Sequence, residues 1–312
     1  SDIILQQAVR YRATEIHVEP SRDNGRVRYR IDGVLQHVVD LPAAAHTRLA
    51  ARLKSVAFDR PGHDPKDGFP IKTPEGEVRT GHLLNTPTPE GELISIRLIA
   101  RDEIPTLDSL NFGGLEGQRI RDLLRRRDGL ILVTGPARAG TTSFIYACMH
   151  SLSRRSVISL ETRIELVVPG VTQIRYDSST GKSFAETLQQ LLDRAPDVIH
   201  AGEIRDLATA RIAIRTAVTG RKTLATLHAS DAVSGLRRMR DMGIDGSRLA
   251  ESCHAVISLR LVRKLCADCK KRVDASANPP SREVKLAQRL GVPPVFGAVG
   301  CKSCAGTGYK GQ

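Results

Sequence analysis

Leu130-Ile131-Leu132-Val133-Thr134-Gly135-Pro136-Ala137-Arg138-Ala139-Gly140-Thr141-Thr142 decides how the chain is read. An apolar run of strand length enters a loop bounded by two glycines, and Phe144 to Leu152 continue with a helical pattern. Strand, loop and helix in that order form the context of a phosphate-binding loop. Its glycines let backbone N–H groups turn inward around phosphate, and the helix N-terminus adds the positive end of its dipole. Gly135 and Gly140 have the spacing such a loop requires, and Thr142 stands where the Mg²⁺-binding hydroxyl belongs. The lysine of the pattern is absent, because position 141 is Thr. Losing one partner of a buried charge pair costs about 2 to 5 kcal/mol. Arg138, three residues earlier in the same loop, could supply the missing charge to the β- and γ-phosphates.

Outward from this loop, apolar runs of strand length alternate with helical patterns: Val157 to Leu160, Val198 to Ala201, Thr223 to Leu227 and Ala255 to Leu259. That alternation predicts a mostly parallel sheet covered on both faces. Upstream, Val27 to Ile31, the turn Asp32-Gly33 and Val34 to Val39 read as a hairpin. A helical stretch from His46 to Val56, a loop from Arg60 to Pro70 and a strand at Leu93 to Ile99 complete a small α+β domain. The chain is thus read as an N-terminal domain, 1–101, a linker, 102–114, and a nucleotide-binding domain, 115–312, that includes a cysteine-bearing segment, 262–312.

With 312 residues, 40% of them hydrophobic, the chain is long enough for two domains with separate cores. No stretch approaches the roughly 18 apolar residues of a membrane span, and no signal peptide is recognisable. The first residues, lacking Met, and the last, Lys310-Gly311-Gln312, read as the ends of a fragment. A net charge of +13 suits polyphosphate, an acidic membrane surface or nucleic acid. Without Trp, and with aromatics at only 4%, the stacking platforms of a single-strand binder are missing, so a nucleotide ranks above nucleic acid.

Four of the six cysteines form two close pairs, Cys266 with Cys269 and Cys301 with Cys304, with 31 residues between the pairs. Four thiolates so spaced can close a tetrahedral structural Zn²⁺ site. Ala275 to Pro280 and an amphipathic helix near Val284 to Leu290 would return the chain to the first pair. Thiols grouped this way predict a reducing, cytoplasmic setting.

Two further blocks carry chemistry. Pro196 to Asp206 is an apolar strand that delivers Glu203 at its C-terminal end, and Thr223 to Ala232 is another that ends in His228. Ligands in open parallel sheets bind beyond those ends. Glu203, followed by Ile204-Arg205-Asp206, could also do no more than pair with Arg205.

These segments, with Ala13 to Pro20, Arg28 to Leu35, Gly91-Glu92 and Arg97, resemble the secretion ATPase superfamily in its type II secretion and type IV pilus-assembly branch. The resemblance implies a RecA-like P-loop NTPase core, preceded by a small α+β, PAS-like domain and bearing a C-terminal zinc module. It implies ATP held by Gly135 to Thr142, and Mg²⁺ held through Thr142 and Glu203. By the same likeness, Glu203 matches the Walker B glutamate, Glu161 and Glu165 the acidic box, His228 the γ-phosphate sensor and Arg97 a charge-neutralising arginine. It implies a homo-oligomer, a hexamer, at the inner face of the cytoplasmic membrane. Its partners would be an inner-membrane platform protein and a cytoplasmic membrane-associated recruiting protein. The departures cluster where chemistry should happen: Thr141 for Lys, Thr162-Arg163 for Asp-Pro, Arg221 for His, and His82 where a second arginine would align. A catalytically impaired structural paralogue is therefore the alternative reading.

Overall fold

A computed structural model of the chain describes residues 1–59, 68–100, 104–273, 289 and 296–312. By packing it divides into two units, Ser1–Arg101 together with Val262–Gln312, and Asp102–Leu261.

In the first unit, the alternating pattern of the N-terminal hundred residues builds a sheet with one covered face. The elements are α1 (Asp2–Arg10), β1 (Glu15–Glu19), β2 (Asn24–Ile31), β3 (Val34–Pro42), α2 (Ala43–Phe58), β4 (Phe69–Lys72), β5 (Val78–Thr88) and β6 (Gly91–Ala100). Among the described residues the strands form one antiparallel sheet in the order β3-β2-β1-β6-β5-β4. Ile16, Val18, Val27, Tyr29, Ile94 and Ile96 pack with Leu5, Ala8 and Val9 of α1 and Ala50 and Leu53 of α2. The Tyr29 hydroxyl donates to the Ile4 carbonyl at 2.7 Å, which gives the buried phenol a partner. The predicted hairpin is β2 and β3, joined through Asp32 at φ 48° and Gly33 at φ 81°. Most of the predicted Arg60–Pro70 loop lies outside the described residues.

The second unit holds α3 (Gly114–Arg125), β7 (Gly129–Gly135), α4 (Thr141–Leu152), β8 (Val157–Glu161), β9 (Val171–Arg175), α5 (Phe184–Leu192), β10 (Val198–Glu203), α6 (Leu207–Val218), β11 (Lys222–His228), α7 (Ala232–Asp241), α8 (Gly246–Ser252) and β12 (Cys253–Ser258). Its sheet runs β12-β7-β11-β10-β8-β9 and every pairing is parallel. β7, with every residue buried, lies inside the sheet, as a continuous apolar run requires when both faces are covered. One cluster packs Leu130, Leu132, Leu160 and Ile199 against α5 and α6; the other packs Ile131, Val133, Val157 and Leu224 against α3 and α4. Lys222 is fully buried, and its ammonium donates to the carbonyls of Leu123 and Asp128 at 2.9 and 2.6 Å. Leu123 O is among the last carbonyls of α3, which no intrahelical N–H satisfies.

The tetracysteine segment packs with the first unit, where sequence order had placed it with the second. It contains β13 (Lys271–Arg272), paired with β14 (Phe296–Gly297), and a one-residue bridge from Leu265 to Tyr309. Ala275 to Pro280 and most of the helix expected near Val284 to Leu290 lie outside the described residues.

Candidate nucleotide site and cysteine cluster

The phosphate-loop residues join β7 to α4. Gly140 caps the helix at φ 88°, and Arg138 holds φ 64°, a left-handed conformation costing a non-glycine residue about 1 kcal/mol or more. Ala139 N donates to Pro136 O at 3.1 Å and closes the turn, while Pro136, Ala137 and Arg138 are exposed. A Cβ at Gly135 would come within 2.7 Å of Ala139 Cβ and 3.2 Å of Thr141 Cγ2, so the loop folds tightly over this residue. Thr141 and Thr142, half-buried, open the first turn of α4.

Parallel pairing brings the other strand ends to the same edge. β11 runs in register with β7, so His228 lies opposite Gly135. β10 pairs with β11 and is irregular between His200 and Glu203, where Gly202 takes φ 60°. Ile204 N and Thr226 O then rejoin at 2.9 Å, and Glu203 is turned toward His228. His228 Nε2 lies 3.2 Å from Glu203 Oε1. Arg205 donates to Glu203 Oε2 through Nε at 2.8 Å and Nη2 at 2.5 Å. Both oxygens of Glu203 are therefore engaged, one by a guanidinium and one by an imidazole. The pairing of Glu203 with Arg205, one of the two roles open to it in the sequence, is present.

Glu161 sits elsewhere in chemical terms. It closes β8 and is buried, and its carboxylate accepts from Ser159 Oγ at 2.7 Å, Gln173 Nε2 at 3.0 Å and Tyr146 Oη at 2.6 Å. Tyr146 belongs to α4, and its oxygen also accepts the Glu165 N–H at 2.9 Å. Burial, then the adjacent Glu161, raises the Tyr146 pKa far above its ordinary value. Ser159 Oγ also lies 2.9 Å from His200 Nδ1. With the single hydroxyl proton of Ser159 directed to Glu161, His200 is the neutral Nδ1–H tautomer. Burial lowers the His200 pKa from 6.5 to about 4, against an opposing effect of Glu161. Glu161 thus ties β8, β9 and α4 together. Tyr146, Ser159, Gln173 and His200 were missed in the sequence. The available signal was polar residues inside otherwise apolar strands, with Ser159 and His200 on neighbouring strands in register.

Arg97 lies on β6 of the first unit, opposite Glu15 and His82 across the sheet. Also in that unit, the sulfurs of Cys266, Cys269, Cys301 and Cys304 all lie within 4.8 Å of one another. Cys266 and Cys301 are 3.9 Å apart, Cys269 and Cys304 3.8 Å, and Cys301 and Cys304 3.8 Å. A tetrahedron with Zn–S bonds of about 2.3 Å has S–S edges of about 3.8 Å, so the donors fit zinc in type and spacing. The N–H groups of Cys301 and Gly308 point at Cys304 Sγ, each at 3.2 Å, and support a thiolate there.

The family model described as type II/IV secretion system protein matches residues 1–312. The chain belongs to that family. Among its curated relatives are the type IV pilus assembly ATPase TfpB of Acinetobacter baylyi, 34% identical over all of this chain and 54% of its own length, and the type II secretion system protein HxcR of Pseudomonas aeruginosa, 35% identical over 99% of this chain and 63% of its own. The chain therefore spans between about half and two thirds of the length of these relatives. Two solved structures share the fold. They are the ATPase DotB of Legionella pneumophila, with TM-score 0.68 and 21% identity over 84% of this chain and 76% of that one, and the pilus retraction motor PilT with bound ADP, with TM-score 0.60 and 24% identity over 85% and 79%. In this member of the type II/IV secretion system protein family, the RecA-like parallel sheet brings Gly135, Glu203 and His228 to one edge. Glu161 is instead locked among Tyr146, Ser159 and Gln173.

Proposed function

We propose that the chain is the motor portion of a secretion or pilus-assembly ATPase, binding ATP along Gly135 to Thr142 and coupling its hydrolysis to domain motion. The observation behind this reading is the junction of the phosphate loop with two polar strand ends: His228 in register with Gly135, and Glu203 in contact with His228. The Thr142 hydroxyl and the Glu203 carboxylate are hard oxygen donors of the kind Mg²⁺ takes, and would hold it. When bound, the ion neutralises charge on the phosphate oxygens. Glu203 would orient the attacking water and accept its proton once the nucleotide draws Arg205 or His228 away. His228 would contact the γ-phosphate, and Arg97 would neutralise charge developing on the transferred phosphoryl group. Of Glu161 and Glu165, the acidic-box pair, one would help polarise the water, and Glu161 would also hold α4 in place. Arg138 would carry the charge that Thr141 does not. The motor would act as a hexamer at the inner face of the cytoplasmic membrane, with an inner-membrane platform protein and a membrane-associated recruiting protein as partners.

A second reading, a structural paralogue without turnover, is favoured by Thr141 and by the full engagement of both Glu203 oxygens. The two are separated by ATP turnover of the purified chain beside its Thr141→Lys and Glu203→Gln variants. The motor reading expects turnover that Glu203→Gln abolishes and Thr141→Lys increases. Absence of nucleotide binding at millimolar ATP would leave the paralogue.

A further inference from the structure

The chain passes from the first unit to the second between Ala100 and Ile104, and returns to the first at Val262. What holds the returning segment is visible in its hydrogen bonds. Lys264 N donates to Gly311 O at 2.8 Å, Lys310 N to Lys264 O at 2.9 Å and Cys266 N to Gly308 O at 2.9 Å, a short antiparallel ladder. Each side of it is joined to the cysteine cluster, one by Cys266 itself and the other by the Gly308 N–H on Cys304 Sγ. Arg263 stacks on the Tyr309 ring at 3.7 Å and reinforces the ladder. At its far end Gly311 N donates to Asp32 Oδ2 at 3.0 Å. Asp32, at the β2–β3 turn, is also 3.9 Å from Arg12.

We propose that the described residues 262–273 and 296–312, closed by a zinc ion, are a clasp that fastens the returning chain to the Asp32 turn. Without the metal, the four sulfurs have no common partner, and the short ladder and the Gly311–Asp32 bond must hold the two sides together without a cross-link at their base. The chain returning at Val262 is then no longer fastened to the Asp32 turn through a closed loop. The clasp rests on zinc occupying the cysteine cluster, and its test separates the two statements.

Zinc content is measured on the whole 312-residue chain, and amide hydrogen exchange is followed before and after removal of the metal by a chelator. The expected result is one zinc per chain. Its loss should speed exchange at 264–266, 308–311 and the turn 31–34, leaving β7 and β10 protected. Asp32→Gly, which accepts the turn's positive φ, should keep the zinc while the Gly311 amide exchanges about ten- to a hundredfold faster, the worth of a bond to a charged acceptor. A chain that takes up no zinc would remove both the metal and the clasp. Zinc bound, but with the turn unaffected by its removal or Gly311 unaffected by Asp32→Gly, would overturn the clasp and leave the metal site standing.

Discussion

Arg138 is held at φ 64° in the middle of the phosphate loop, a conformation that glycine would take without strain. An arginine kept there at a cost of about 1 kcal/mol points to a task for its guanidinium, and the absence of a loop lysine supplies one. Arg138→Gly should leave the urea midpoint unchanged or slightly higher, because relief of strain and the added freedom of the unfolded chain nearly cancel. ATP affinity in the same variant should fall tenfold or more. Equal ATP affinity in both proteins, measured by calorimetry, would dismiss the compensating role. Gly202 presents the opposite case. At φ 60°, a Cβ there would meet Leu160 O and the Phe184 ring, both at 2.7 Å. Gly202→Ala should cost at least about 2 kcal/mol through strain and overpacking, and should displace Glu203 from His228. An unchanged melting temperature would show that the β10 irregularity is softer than this.

At the scale of elements, the buried polar group at the end of β8 determines how α4 is fastened to the sheet. Glu161→Ala would strand the Tyr146 and Ser159 hydroxyls and the Gln173 amide at once, and should destabilise the second unit by about 3 kcal/mol. A catalytic role alone would leave stability untouched, so the denaturation midpoint of Glu161→Ala distinguishes the two. His200 adds a pH dependence. Its folded pKa of about 4 lies below the ordinary 6.5, so between those values the unfolded chain takes up a proton that the folded chain refuses. Stability should therefore fall as pH drops through that window, by about 2 kcal/mol from pH 7.5 to 5. His200→Gln, which cannot titrate, should lose that part of the slope; an identical pH profile in parent and variant would place the acid sensitivity elsewhere. None of this was legible in the sequence, where Glu161 reads as one of two acidic-box residues. Its function depends on partners supplied by three other segments, and no spacing records them. The strands themselves were legible, because Leu130 to Thr134 or Val198 to Ala201 can only be buried on both faces. β9 was not, since Val171–Arg175 is half exposed and carries Thr, Gln and Arg among its five residues.

At the scale of the molecule, sequence order misled where packing decides: the tetracysteine segment follows the second unit in the chain but hydrogen-bonds to the first through Asp32. The hydrophobic clusters draw the same division. Both clusters of the second unit are made of residues between Ile104 and Leu259, and that of the first lies between Ile4 and Leu98. Among the described residues each of these clusters is built from the side chains of one unit, so each unit carries the apolar burial that makes a domain fold cooperatively by itself. Residues 102–261 expressed alone should then melt in a single transition, with an enthalpy of about 110 kcal/mol near 60 °C for a segment of that length. The whole chain should show at least two transitions by calorimetry, with a total enthalpy well above the van't Hoff value of either. Stripping zinc should lower the transition belonging to the first unit and leave that of residues 102–261 in place. A single two-state transition of the whole chain, with matching calorimetric and van't Hoff enthalpies, would mean that the two cores are coupled strongly enough to unfold as one body.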